Sequence, residues 1–321
     1  MSSNRISRLA LILALLVPAA AALSAPQAVL RTWKDAARDR EVPVKIYLPE
    51  KTEKAPVILF SHGLGASREA YGYLGQYWAE NGFVAVHIQH AGSDDSVWRN
   101  AGDQGPVKAM MAAASVANYV LRLGDVSFVI DELARQDADA ASPLHGRVDL
   151  DRVGLAGHSF GALVAQAEAG QAIIVAGVER VFRDPRIKAV VAMSPAPPPR
   201  ANLAQAAFEK MAAPIFYLTG TSDFEMITMA GVNQRRQPFD KGAGSDHYLA
   251  IFNGGDHALF AGRRRGPAKK GDPAAWAYIQ KATTMFFDAY LCDDPAALAW
   301  MREKAADEMK SLGKLESKAK T

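Results

Sequence analysis

Ser159 stands between two glycines in Gly157-His158-Ser159-Phe160-Gly161, a spacing that can present a hydroxyl for nucleophilic attack. The preceding Val153-Gly154-Leu155-Ala156 reads as a buried strand, and the small apolar residues from Gly161 towards Ala169 read as a helix. A serine on so tight a strand-to-helix turn needs glycines beside it, because larger side chains would strike the strand or the helix. The serine itself is expected in a strained backbone conformation. Its hydroxyl then stands at a helix N-terminus, whose free N–H groups favour developing negative charge.

A serine hydroxyl is a poor nucleophile until a base takes its proton, and a third group must hold that base in one tautomer. Only His247 and His257 follow Ser159. His257 closes the glycine-rich turn Asn253-Gly254-Gly255-Asp256-His257, and is the expected base; His247 opens the apolar run before it and reads as a strand-end residue. Asp223 follows the run Ile215 to Leu218 through Thr219-Gly220-Thr221-Ser222 and is placed to accept the other ring N–H, with Glu225 and Asp256 as rivals. An oxyanion needs two backbone donors. Phe160, directly after the serine, supplies one, and Leu64 in Ser61-His62-Gly63-Leu64-Gly65 is the candidate for the other. His62 and His158 are expected to shape the loop and the turn.

The elements that must position these residues are legible as apolar runs. Val57 to Phe60, Val84 to Val86, Val153 to Ala156, Ala189 to Met193 and Ile215 to Leu218 are continuous, as strands buried on both faces of a parallel sheet would be. Val42 to Leu48 alternates, as a half-buried antiparallel strand does. Ala70 to Asn81, Asp125 to Gln136 and Ala274 to Leu291 carry apolar residues at helical spacing. The alternation predicts one doubly wound α/β domain. Three long insertions, Ala91 to Leu121, Gln171 to Arg186 and Glu225 to Ser245, are expected to build a cap over the pocket. Met226, Ile227 and Met229, with Met110 and Met111, suit either an acyl pocket or ordinary core filling.

Phe60-Ser61-His62-Gly63-Leu64-Gly65-Ala66-Ser67-Arg68, Asn81-Gly82-Phe83-Val84-Ala85 and the Gly157–Gly161 motif together resemble the platelet-activating-factor acetylhydrolase branch of the α/β-hydrolases. Secreted bacterial lipase-like and dienelactone-hydrolase-like esterases share these features. The resemblance spans Val42 to Leu291. It implies an α/β-hydrolase fold and acyl-ester hydrolysis without metal or organic cofactor. It supports Ser159, His257, Leu64 and Phe160 by position. In the phospholipid-cleaving members the acid follows the strand after the nucleophile, but here that place reads Ser194-Pro195-Ala196-Pro197 and holds no carboxylate. The bacterial placement, at Asp223, is the one this chain satisfies. Dienelactone hydrolases proper use cysteine where this chain has Ser159.

The 321 residues, 49% hydrophobic and 22% charged, are ordinary for a globular domain, and a net charge of +3 gives no pointer to nucleic acid. Arg5 and Arg8, the apolar Leu9 to Val17 and the small residues up to Ser24 read as a signal peptide cleaved after Ser24. A periplasmic or secreted protein beginning close to Ala25 is expected, checked by N-terminal sequencing of exported material. The hydrolase domain is assigned to residues 25–301 and a charged, solvated tail to residues 302–321. Cys292 reads as a passive thiol. The basic loop from Arg263 to Lys270 reads as solvated, or as a weak contact with an anionic surface near the pocket mouth. The expected activity is cleavage of small or lipid-like carboxylic esters through an acyl-enzyme on Ser159. An acyltransferase with the same residues and a noncatalytic binding protein are the alternatives.

Overall fold

The structure is a computed structural model and describes residues 27–195, 207–208, 211–225, 229–262 and 267–320. The expected signal peptide, Met226, Ile227 and Arg263 to Arg265 lie outside the described residues. Nine strands form one sheet: β1 (Gln27–Asp35), β2 (Arg40–Leu48), β3 (Ala55–Ser61), β4 (Val84–Ile88), β5 (Val148–His158), β8 (Ile187–Met193), β9 (Ile215–Ser222), β10 (His247–Asp256) and β11 (Gly313–Lys318). Their spatial order is β1-β2-β4-β3-β5-β8-β9-β10-β11. The strands from β4 to β10 in that order pair in parallel, while β1, β2 and β11 run antiparallel at the two edges.

The continuous apolar runs have the predicted cause. In β3, Val57 and Leu59 face one core layer, and Ile58 and Phe60 face the other; all four are buried. Helices α4 (Val116–Ala138) and α5 (Phe160–Glu168) cover the first face. Helix α1 (Gly72–Glu80) and the long helix Asp272–Leu291 cover the second. A strand with helices on both sides cannot afford a polar face, so its hydropathy loses the period of two.

The long insertions depart from expectation in instructive ways. Residues 91–121 are folded: α2 (Ser96–Arg99), α3 (Pro106–Ala113) and the first turn of α4. Residues 171–186 carry the hairpin β6 (Ala172–Val175) and β7 (Val178–Val181), with β7 exposed. That hairpin sits between the end of α5 and the start of β8, so it lies by the amino ends of the strands, away from Ser159. Residues 225–245 include two short helices, Val232–Arg235 and Gln237–Lys241.

The charged tail is also corrected. Trp300, Met301, Ala305 and Met309 are buried in the second core layer, and β11 pairs with β10 from His247–Lys318 to Phe252–Gly313. Its charges find partners at the sheet edge: Lys318 Nζ donates to the carbonyls of Asp240 and Gly242, and Glu316 lies 3.3 Å from Arg236 Nη2. Charged side chains suit an edge strand, which must resist pairing with other chains. Among the described residues no single helix is long and apolar enough to cross a membrane.

Candidate active site

The turn at Ser159 is built by close approach. A Cβ on Gly157 would come within 2.2 Å of the Gly161 carbonyl oxygen, and one on Gly161 within 1.9 Å of that of Ser61. Both positions therefore exclude any side chain. The second contact also presses the start of α5 against the end of β3. Ser159 itself has φ 56° and ψ −116°, a conformation costly for a non-glycine residue and sustained only by its surroundings. Its N–H donates to the Met193 carbonyl at 2.9 Å, which pins the turn to the end of β8.

His257, one residue past β10, places Nε2 3.0 Å from Ser159 Oγ and Nδ1 2.9 Å from Asp223 Oδ1. Asp223, one residue past β9, is buried, and its Oδ2 accepts from Thr219 Oγ1 at 2.9 Å. With Nδ1 protonated toward the carboxylate, Nε2 is left as an acceptor for the serine proton. Of the rivals, the carboxylate of Asp256 pairs with Lys269 Nζ at 2.6 Å, while Glu225, whose backbone bridges to Ala230, acts electrostatically on Arg235. The residues expected at these positions thus converge from the carboxyl ends of three parallel strands, β5, β9 and β10.

Leu64 follows β3 on the same edge, and Phe160 opens α5. Among the described residues no backbone carbonyl accepts from the N–H of either. Their loop is braced from beneath. His62 Nε2 accepts from the His90 N–H at 3.1 Å, so its Nδ1 carries the proton donated to the Gly63 carbonyl at 2.7 Å. Burial holds His62 neutral, well below the usual imidazole range. Arg122, buried in α4, donates to the His62 carbonyl and to Ser93 Oγ at 2.8 Å, and its guanidinium lies 4.5 Å from the Phe160 ring centroid. Ser93 in turn accepts the Gly65 N–H at 2.9 Å. One arginine therefore touches both segments that carry the candidate oxyanion donors.

A second serine–histidine–aspartate chain runs behind this loop. Ser61 Oγ lies 3.0 Å from His90 Nε2, and His90 Nδ1 lies 2.9 Å from Asp125 Oδ2. All three side chains are buried, so no substrate reaches them. Burial lowers His90 to about 4. Burial pushes the Asp125 carboxyl up, but hydrogen bonds from His90 and Arg40 outweigh it and hold it at about 2. The chain is a brace: it is closed to solvent, its serine lies within β3 and not on a strained turn, and its carboxylate is paired with Arg38 and Arg40.

His158 packs its ring against His257, with centroids 4.6 Å apart, while its Nδ1 meets the Tyr71 hydroxyl at 2.8 Å. Burial, and then the charge of Arg235, hold it neutral, well below the usual imidazole range. His247 is buried at the start of β10 and stacks on Tyr217; burial lowers it to about 4. Over the loop after β3, Trp98 Nε1 donates to the Gly65 carbonyl at 2.8 Å, and the Met110 thioether fills the space beside Gly65. Met111 and Met229 are exposed, so neither is core filling. Cys292 is half-buried beside Arg152, and burial raises its thiol. Among the described residues no group of three or more His, Cys, Asp or Glu side chains is arranged to hold a metal.

Sequence reasoning missed Arg235. This arginine is 2% exposed, donates from Nε to the Asp223 carbonyl at 3.0 Å, and has Nε 3.1 Å from Asp223 Oδ1. Its presence in a long insertion, twelve residues past the acid, carries no local signal.

Comparison with known proteins agrees with this architecture. Residues 58–316 match the model of the alpha/beta hydrolase family. The chain is also similar to three platelet-activating factor acetylhydrolases. That of Cavia porcellus is 47% identical over 51 residues, covering 16% of this chain and 12% of the relative. That of Bos taurus is 29% identical over 136 residues, covering 34% and 30%. That of Canis lupus familiaris is 30% identical over 149 residues, covering 36% and 32%. The chain thus spans at most about a third of the length of these curated relatives. With the family match extending over most of the sequence and the parallel sheet beneath it, the chain belongs to the alpha/beta hydrolase family.

Proposed function

We propose that this protein hydrolyses carboxylic esters through Ser159, His257 and Asp223. The observation that carries the reading is the pair of contacts made by His257, 3.0 Å to Ser159 Oγ and 2.9 Å to Asp223 Oδ1. His257 Nε2 takes the hydroxyl proton as Ser159 Oγ bonds to the ester carbonyl carbon. The N–H groups of Leu64 and Phe160 hold the resulting oxyanion. His257 then gives the proton to the departing alkoxide, leaving an acyl-enzyme. Water, deprotonated by the same imidazole, attacks the acyl carbon, and the proton returns to Ser159 as the acid leaves. Asp223 keeps the ring in one tautomer and balances the imidazolium formed at each proton transfer.

The similarity to platelet-activating factor acetylhydrolases supports an ester substrate. The exposed apolar side chains of Trp98, which donates to the Gly65 carbonyl, and of Phe224, next to Asp223, support an apolar one. The test is Ser159→Ala. It should abolish labelling by a serine-directed phosphonate and lower turnover of a chromogenic acetate ester by roughly 10³-fold or more. Turnover near that of the unmodified protein would remove the assignment of the nucleophile, and acyl transfer to an added alcohol would redirect the reading to an acyltransferase.

A further inference from the structure

We infer that Arg235 is a positioning residue for this reaction, a clamp that fixes the Asp223 carboxylate and through it the His257 ring. The inference rests on the proposed roles of Ser159, His257 and Asp223, and it goes beyond them by adding a residue that touches no substrate.

Five contacts define the clamp. Arg235 Nε donates to the carbonyl of Asp223 at 3.0 Å and lies 3.1 Å from its Oδ1 as an ion pair, so the guanidinium engages both the backbone and the charge of the acid. Nη1 donates to the carbonyls of Ser194 and Pro195, at 2.8 and 3.1 Å, just past the end of β8. Nη2 comes within 3.4 Å of His257 Nδ1. The ring nitrogen is closer to the carboxylate, at 2.9 Å, so its proton points there and the guanidinium edge closes off the side toward Arg235.

The clamp answers a local problem. Asp223 sits past the last residue of β9, beyond the regular ladder, on a segment that continues into residues 225–245. Within β9, Thr219 Oγ1 holds Oδ2 and the Gly220 carbonyl accepts the Asp223 N–H, which leaves Oδ1, the oxygen that meets His257, to be fixed from outside the strand. Arg235, at the end of the helix Val232–Arg235, folds the segment back and ties it to the adjacent strand end. Ser194 there has φ 53°, a left-handed conformation that a non-glycine residue keeps only when neighbouring bonds over-determine it. The planar fork of arginine suits this task, because it serves acceptors in several directions at once while carrying a fixed charge. Both members of the pair are at least 98% buried, so each would be costly without the other.

The test compares Arg235→Met and Arg235→Lys with the unmodified full-length chain, using a chromogenic acetate ester and a serine-directed phosphonate. Arg235→Met should lower kcat by about 10²-fold, the scale of a small misplacement of a catalytic group, with KM within about threefold. The phosphonate labelling rate should fall in parallel. Arg235→Lys should recover about tenfold of that loss, since an ammonium restores the charge but not the fork. In proton NMR the hydrogen-bonded Nδ1 proton of His257, identified by its loss in His257→Gln, should vanish or broaden in Arg235→Met. An arginine that only stabilises the fold would give a lower melting temperature with kcat and the Nδ1 resonance intact below it, which overturns the inference. If Arg235→Met does not fold, the lysine variant decides: unchanged kcat in a folded lysine protein also overturns it. A Ser159→Ala control that keeps turnover sinks the functional reading instead, so the two failures are separable.

Discussion

Asp223 shows how narrowly a residue's role is set. Asp223, Glu225 and Asp256 all lie at or just past the carboxyl ends of β9 and β10, and Asp223 meets the imidazole because these strands are parallel neighbours whose ends open on the same edge. Thr219 on Oδ2 and His257 on Oδ1 divide the carboxylate between them. Asp223→Asn should keep the fold but lower turnover by as much as about 10⁴-fold, since an amide can present its NH₂ group to Nδ1 and favour the wrong tautomer. Asp256→Asn should be nearly silent, because that carboxylate serves Lys269 at the surface. Steady-state kinetics of the two variants, with Glu225→Gln beside them, is the check. A crippling effect at Glu225 with a silent Asp223 would reassign the acid.

At the scale of elements, the oxyanion loop is held by residues from two other segments. Arg122 of α4 reaches the His62 carbonyl and Ser93, and Ser93 reaches Gly65. Removing the guanidinium leaves these acceptors buried and loosens both segments that carry the candidate donors. Arg122→Met should therefore lower kcat by roughly 10- to 100-fold with little change in KM, because the donors matter most once the oxyanion has formed. The melting temperature should fall by about 5–10 °C, as expected for a few kcal/mol in a chain of this size. Kinetics below the melting point separates the two effects: an unchanged kcat there would mean that the loop keeps its shape without the arginine.

The whole molecule depends on an edge that looks dispensable in sequence. β11 closes β10, and β10 carries His257 at its far end. Deleting residues 310–321 would bare the backbone of β10 as an open edge. The truncated protein should melt at least about 5 °C lower, by loss of the ladder and of the contacts around Leu315. It should also associate at high concentration. Thermal melting and light scattering test this; a truncated chain as stable and as monomeric as the full one would show that the edge strand contributes nothing.

What the sequence determined by itself was local. The turn at Ser159 is legible within five residues, and Gly157 is demanded by the Gly161 carbonyl inside that motif, although Gly161 is demanded by the Ser61 carbonyl of another strand. The core strands are specified by apolar runs, because burial on both faces leaves a mark on every residue. His257 and Asp223 were legible as residues just past such runs, since a loop at a strand end is the place from which a side chain can reach the same edge. The tertiary structure alone decided the rest. The buried face of the segment around Trp300, Met301, Ala305 and Met309 was hidden among charges that point to solvent. Arg122 and Arg235 act on residues 60 and 12 positions away, where no spacing rule applies. A long, flexible, charged side chain finds its partners only when the fold has set its surroundings, and so its role is written in space and not in sequence.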